Sequence, residues 1–512
     1  MVTTLAAARA ALHGAAGWVL RKTAQTPAYD AIPGGRRWTG YAPPEAAVNA
    51  ILAAGAGSLR RVSRDMARKN PWASAGLRVY AANAIGTGIK PQSRHPDAAA
   101  RQRIQEAWLA WTDEADATGT LDFYGLQGLA VRAVREGGEV FARLLFPPPT
   151  DDRAVPLQVQ LIEPEQIPAT FDRPLPTGNT IRQGIEFDPV GRRVAYHVLR
   201  EHPGERLFGA GGDTVRVPAA EMAHVFEPVR PGQARGQPWL AQVLLRLYEF
   251  DHYEGAELVR KRDAAMFSGF IREVGGPDGG PLGGSVTTDA NGQPAEVARL
   301  EPGTFQKLRP AEDVTFAAPA DMGEGYAEFM RWVLRAIATC IGVTYEQLTG
   351  DLTGVNYSSI RAGLLEFRRA VEMFQHCVFA HQFCRPVWRA WMDRAVLVGA
   401  LPVSATTYRR ERAAWRAVKW VPPGWQWVDP EKEIKATVAA IRAGLLSRSE
   451  AVSAYGYDAE EIDAEIAADN KRADDLGVAY DSDGRRARST GAAVEAPAAD
   501  MDETAMLEER RA

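Results

Sequence analysis

Apolar positions follow a helical period early in the chain and a strand period later. Ile104, Trp108 and Trp111 stand four and three apart, and Phe123, Leu126 and Leu129 three apart, which marks one face of a helix. Upstream, one helix is predicted from Ser58 to the residue before Pro71. A second is predicted over 72–84, closed by Gly86-Thr87-Gly88. The period then drops to two: Leu157, Val159 and Leu161 alternate with Gln158 and Gln160, as in a half-buried strand. Residues 181–187 and 192–199 flank Asp188-Pro189-Val190-Gly191. Asp, Pro and Gly there hold the first, second and fourth places of a type I turn, which predicts a hairpin. With short strands at 215–217 and 224–226, residues 140–226 read as mostly β.

Pro238 marks the start of a long helix over 238–265. Leu240, Val243, Leu244, Leu247 and Tyr248 share a face, and the stripe continues as Asp251 and Glu254, so this helix is expected to leave the subunit's core. Residues 275–299 are Gly-rich and predict a mobile loop between strands, with a turn at Asn291-Gly292; a second β stretch follows over 300–316. Phe329, Val333 and Ile337 predict a helix closed by Gly342. Beyond the polar stretch 344–359, Ile360, Leu364, Phe367, Val371, Phe374 and Val378 form a heptad seam that Pro386 kinks or ends. Further helices are predicted at 429–443, 447–454 and 459–475. The fold class expected is α+β.

The ends differ in composition from this body. Residues 1–57 are rich in Ala, Gly and Pro and predict an extended arm with one short helix. Residues beyond 477 carry little apolar content and predict a disordered tail. The 512 residues hold 60 Lys+Arg against 64 Asp+Glu. That balance hides a front of +7 over 1–120 and a back of −9 over 429–512. Such asymmetry fits nucleic acid at one end, attraction between subunits, or two solvated surfaces. No run of about 18 apolar residues predicts a membrane span, no secretory leader is read at the start, and three cysteines suit a reducing compartment.

Catalytic motifs are absent from the sequence: no GxxxxGK[ST], GxSxG or HExxH occurs, and Gly86-Thr87-Gly88 lacks the third glycine of a dinucleotide loop. Ser358, His376 and Asp351 do not make a triad, because 18 helical residues put His376 roughly 27 Å from Ser358. Asn356, Ser358 and Ser359 read as caps for the following helix. Cys377, His381 and Cys384 fall at 0, +4 and +7, next to His376, which resembles part of a zinc site. The preferred reading makes His381 a seam residue and Cys384 a small hydrophobe, so no metal and no cofactor is expected. Trp415, Trp420, Trp425 and Trp427 around Pro422-Pro423-Gly424 are read as packing in preference to a base-stacking platform. Arg60, Arg61, Arg64 and Arg68 share a helix face, read as intersubunit or solvated in preference to phosphate-tracking.

An ordered set of motifs remains. Arg68-Lys69-Asn70-Pro71-Trp72-Ala73 precedes Ala82-Asn83-Ala84-Ile85-Gly86-Thr87-Gly88-Ile89. Then come Leu300-Glu301-Pro302-Gly303-Thr304, Gly342-Val343-Thr344-Tyr345-Glu346-Gln347-Leu348-Thr349-Gly350-Asp351, Val355-Asn356-Tyr357-Ser358-Ser359-Ile360-Arg361 and Trp427-Val428-Asp429-Pro430-Glu431-Lys432-Glu433. Over roughly 58–480 this order resembles the lambda-like portal proteins of tailed phages and prophages. The resemblance implies a non-enzymatic ring, usually of twelve copies, at one capsid vertex in the virion, assembled in the host cytoplasm. Double-stranded DNA would pass through it, with a terminase motor, a head-tail adaptor, and major capsid and scaffold proteins as partners, and no membrane.

The resemblance further implies a wing over 58–149, a clip-like β region over 150–230, a stem helix over 231–265, wing strands over 266–325, wing and channel-proximal helices over 326–428, a crown over 429–478 and an acidic tail over 479–512. Asp251, Glu254, Thr349, Asp351, Thr353 and Asn356 are then expected near the DNA channel, and Leu244, Leu247, Tyr248, Arg60 and Arg64 at subunit interfaces. The alternative is a non-enzymatic nucleic-acid-binding protein that uses the basic N-terminal helix.

Overall fold

The computed structural model describes residues 45–149, 153–205, 213–266, 325–425 and 430–478, together with four short strands between 270 and 315. Helix α1 (Val48–Lys69) ends at Asn70, whose side chain accepts from Ala73 N at 3.0 Å and so caps α2 (Pro71–Ile85), with Pro71 at its first position. Helix α1 begins ten residues before the pattern predicts. Ala and Gly give no apolar period there, yet Leu52 and Ala56 are buried. The expected boundary between 57 and 58 therefore falls inside a helix. After β1 (Lys90–Ser93) come α3 (Ala98–Thr112) and α4 (Phe123–Gly137), capped by Asp97 and Asp122. Ile104, Trp108, Trp111, Phe123 and Leu126 are buried, while Leu129 faces solvent.

Strand β2 (Glu139–Leu145) is the partition of the subunit. It is the middle strand of a three-stranded antiparallel sheet, between β3 (Gln158–Ile162) and a later strand, Met222–Phe226. Successive side chains of a strand point to opposite faces. Val140, Ala142 and Leu144 accordingly enter the large helical core, and Phe141 enters a second, smaller core with Ile162, Ile185, Tyr196, Val198 and Val217. The second core is covered by a five-stranded antiparallel sheet in the order β4 (Arg173–Pro174), β5 (Thr180–Arg182), β6 (Ile185–Phe187), β7 (Arg193–Leu199), β8 (Thr214–Pro218), and Met222–Phe226 is β9.

The predicted hairpin is β6–β7. Gly191 N donates to Asp188 O at 2.9 Å, and Asp188 Oδ1 accepts from Val190 N and Arg192 N. The single strand expected over 181–187 is two strands. Gln183 and Gly184, at φ 50° and 76°, turn the chain between β5 and β6, which alternation alone does not reveal.

A short 3₁₀ turn (Trp239–Gln242) leads into α5 (Leu244–Met266). Strands β10 (Phe270–Glu273), β11 (Ser285–Thr288), β12 (Pro294–Val297) and β13 (Glu312–Thr315) pair as β10–β13 and β11–β12, both antiparallel. The turn expected at Asn291-Gly292, most of the expected loop, the stretch around Glu301, Trp427, the arm over 1–44 and the tail over 479–512 lie outside the described residues.

Helix α6 (Gly325–Ile341) closes at Gly342, φ 77°. After α7 (Tyr345–Thr349), α8 (Tyr357–Met373) carries the seam through Phe367 and Val371 into a π-helical stretch, Phe374–Cys384, continued by α9 (Arg385–Leu397). In the π-helical stretch Arg385 N reaches back five residues to Ala380 O. The wider turn brings Phe379, Phe383 and Val387 inward and leaves His381, expected on the seam, exposed. Trp108, Trp111, Trp388 and Trp391 meet at the centre of the large core, with Trp108 5.1 Å from both Trp388 and Trp391 by ring centroids. Helices α10 (Ala405–Arg410) and α11 (Arg412–Trp415) precede β14 (Val418–Val421), which pairs antiparallel with β1. The chain continues through α12 (Pro430–Arg442), α13 (Arg448–Ala454) and α14 (Ala459–Leu476).

Candidate functional site

Helix α5 was expected to carry an interface on Leu244, Leu247 and Tyr248. Leu247 is fully buried and Leu244 is 7% exposed, both in the large core, so these two leucines are covered inside the subunit. Among the described residues of α5, the large apolar side chains left uncovered are Leu245, at 73% exposed, with Tyr248, Leu258 and Val259. The acidic continuation of the stripe meets the junction of α1 and α2. Asn70 Nδ2 donates to Asp251 Oδ1 at 3.4 Å, and Trp72 Nε1 donates to Glu254 Oε2 at 3.1 Å. Two carboxylates beside the first turn of α2 complement its dipole. Burial, and then the charge of Asp251, push the Glu254 carboxyl up against the pull of the Trp72 hydrogen bond.

The polar stretch 344–356 is a tightly bonded turn. Thr344 and Gln347 form a reciprocal capping box for α7. Thr349 Oγ1 donates to Tyr345 O at 2.8 Å and accepts from Asp351 N at 3.1 Å. Asp351 accepts from Thr353 Oγ1, from Thr353 N at 3.0 Å and from Tyr345 Oη at 3.0 Å, with the Arg331 guanidinium 3.8 Å away. These donors, the Thr353 hydroxyl foremost, hold the Asp351 carboxyl down to about 2. Asn356 caps α8 by accepting from Ser359 N. Four of the six residues expected near the channel, Thr349, Asp351, Thr353 and Asn356, therefore shape one loop, with Leu352 exposed.

The basic face of α1 is a correction to the sequence reading. Arg60 is 5% exposed; its NH2 donates to Glu139 Oε1 at 2.9 Å, and its Nε to Gly137 O. Arg64 donates to Glu165 at 2.9 Å and lies 3.3 Å from Glu163. Both arginines are held by acids of their own subunit, which buries Arg60 away from a neighbour, while Arg61 and Arg68 of the same face stay exposed, Arg68 bonded to Asp65. Glu163, Glu165 and His202 bring ligand atoms within 4.8 Å of one another, but the Arg64 guanidinium already matches the two carboxylates.

Sequence reasoning missed the cluster around Glu139. Its carboxylate is fully buried and accepts from Arg60, from Arg235 Nε at 2.8 and 3.0 Å, and from Gly236 N at 2.9 Å, with His224 Nε2 also at 2.9 Å. Burial alone would raise the Glu139 carboxyl. Arg235, then His224 and Arg60, outweigh it and hold the group far below the usual carboxylate range. Burial holds the His224 imidazole down to about 4 against the attraction of Glu139. Arg235 also donates to the carbonyls of Pro164, Ile167 and Gln183, which joins β2 to the five-stranded sheet.

A further buried cation, Arg135, lies between Tyr80, Trp239 and Phe374 and donates to Glu227 at 2.6 Å. Burial lowers its guanidinium to about 10.

The cysteine-histidine set is not brought together. Cys377, His376 and His381 are exposed, whereas Cys384 is fully buried, 3.9 Å from the Gln127 amide, and burial pushes its thiol up. Trp415 packs on His95, Trp420 on Trp388, and Trp425 donates to Glu372, so these three tryptophans act in packing.

Comparison with known proteins defines the class. Residues 34–375 match the family described as phage portal protein, lambda family. A probable portal protein of Halomonas phage phiHAP-1 is 29% identical over 434 residues, covering 82% of this chain and 81% of that one. Portal protein B of Escherichia phage lambda is 24% identical, covering 84% of this chain and 86% of that one. Among solved structures, the neck of a native gene transfer agent particle computed with C12 symmetry aligns at a TM-score of 0.44 and 16% identity, over 76% of this chain and 92% of that one. The chain belongs to the lambda family of phage portal proteins, a structural family of the head-tail connector.

Proposed function

We propose that this chain assembles into a ring of twelve copies at one capsid vertex and serves, without catalysis of its own, as the conduit for double-stranded DNA. A terminase motor would dock on it during packaging, and a head-tail adaptor afterwards. The family match over 34–375 carries this reading. The charge pattern supports it: a conduit that neutralised many phosphates would bind DNA and stall its passage. Here Arg60 and Arg64 are paired internally, Asp251 is exposed on α5, and the net charge is −4.

Within the ring, α5 would be the stem and residues 150–230 the clip. Residues 430–478 would form the crown, and the loop around Asp351 would approach DNA. Subunits would assemble in the host cytoplasm with capsid and scaffold proteins before entering the virion. Negative-stain images and light scattering of purified protein test the reading. Twelve chains of 55.8 kDa give a particle of about 670 kDa with a central hole. A monomer or dimer at all concentrations would overturn it.

A further inference from the structure

The C-terminal helices have no core of their own. Over residues 430–478 the buried positions are Ala451, Ser453, Ala459 and Ala473, without one large apolar side chain among them. Helix α12 has no buried residue at all, yet Ile434 and Val438 are exposed and Ile441 is half-buried, at intervals of four and three, a short heptad seam turned largely to solvent. A helix of 13 residues is marginal in water by itself and takes its stability from packing an apolar face. Helix α14 likewise exposes Ile466, at 47%, and Leu476, at 70%. Polar contacts tie the segment to the body: Gln92 to Asp458, Arg101 to both oxygens of Glu460, and Lys419 to Glu450. They fix its position without covering either apolar stripe.

We infer that the seam of α12 is covered by α14 of a second copy of this chain, so that the C-terminal helices become one continuous helical belt only on assembly. The charges that flank the two stripes are complementary. Helix α12 carries three bases and two acids; Arg442 lies along one edge of its seam, beside Lys435, which is held by Glu431 at 2.7 Å. Helix α14 carries seven acids and two bases, and Glu461 and Glu465 border its stripe. Two different faces meeting in this way form a heterologous contact, the kind that closes a ring. The inference rests on the ring reading and adds to it a specific pair of surfaces.

Mixed cross-linking tests it. In full-length protein with Cys340 and Cys377 replaced by Ser, one population carries Ile434→Cys and the other Ile466→Cys. Both sites are about half exposed, so cysteine disturbs little. The populations are mixed and assembled, then treated with a short bis-maleimide whose reach tolerates either helix direction. Cross-linked two-chain product is expected, at least several-fold above a control pairing Ile466→Cys with Ala439→Cys, on the opposite side of α12. Rings without that product overturn the inference and leave the portal reading intact. Coverage of the seam by residues 479–512 of the same chain would do so too, and would appear as Ile434→Cys shielded from maleimide in monomers. Failure to form rings at all would sink both readings.

Discussion

Arg235 holds Glu139, 96 residues away in sequence, with two nitrogens: Nε lies 2.8 Å from one carboxylate oxygen and 3.0 Å from the other, and Nη2 lies 2.8 Å from the first. The pair stands at the seam of the two cores, because Glu139 begins the strand that both cores share. Removing one partner of a buried ion pair leaves an uncompensated charge. Glu139→Ala is therefore expected to cost about 3–5 kcal/mol, with the β region loosening along with the helical one. Denaturant unfolding followed by near-ultraviolet dichroism measures this; a change under 1 kcal/mol would show that the cluster contributes little.

Acid sensitivity follows from the same cluster. His224 is held neutral by burial, so the unfolded chain binds its proton more readily than the folded one between about pH 6.5 and 4. Stability should fall as pH drops through that window. Glu139, held far below the usual carboxylate range, adds further loss at lower pH. His224→Gln keeps an amide donor toward Glu139 and does not titrate. Melting temperatures from pH 7.5 to 4.5 should fall less steeply in that variant than in the native protein.

Leu245 and Leu247 separate assembly from folding. Leu247→Asp places a charge in the large core and is expected to give insoluble or unfolded protein. Leu245, mostly exposed on α5, should tolerate Asp as a folded subunit with fewer rings. Size exclusion with light scattering reads both. Normal ring yield from Leu245→Asp would remove that face from the interface.

Gly138 and Gly191 share a positive φ, 93° and 87°, but not their surroundings. A Cβ on Gly138 would lie 2.4 Å from the Gln237 carbonyl carbon, whereas on Gly191 it would meet nothing within 4 Å. Gly191→Ala should cost only the left-handed backbone term, about 1–2 kcal/mol. Gly138→Ala must also push α4 away from the segment leading to α5, and should fail to give folded protein. Equal melting temperatures for the two variants would contradict this.

The loop at 344–356 should be held by Asp351. Asp351→Ala removes the acceptor shared by Tyr345 and Thr353 and is expected to leave the melting temperature nearly unchanged. Proteolysis or amide exchange over 350–355 should then rise by an order of magnitude or more. Unchanged protection would mean that the two caps, Thr344 and Asn356, suffice.

Local signals were legible in the sequence wherever they were self-contained. The Asn70-Pro71 helix junction, the Asp188–Gly191 hairpin and the Gly342 helix stop each declare themselves within a few residues. Helix α1 was read ten residues short because Ala and Gly carry no period. The apolar stripe Leu240–Tyr248 was legible, but whether it faced a neighbour or the subunit's own core was not, since spacing fixes a face and not what covers it. The Glu139 cluster had no local signal: Arg60, His224 and Arg235 lie 79, 85 and 96 residues from Glu139 and meet only after β2 is sandwiched between the cores.

The π-helical stretch between Phe374 and Cys384 makes residue count, as well as composition, a determinant of the core. Every side chain downstream inherits its angular position from the wider turn, including Trp388 and Trp391, which meet Trp108 at the centre. Deleting a single residue there would rotate α9 about its own axis by roughly 100°, the α-helical increment, and swing both indoles out of the cluster, even if the residue removed were the exposed His376. Across related sequences this stretch should accumulate substitutions at its outward positions while its length stays constant.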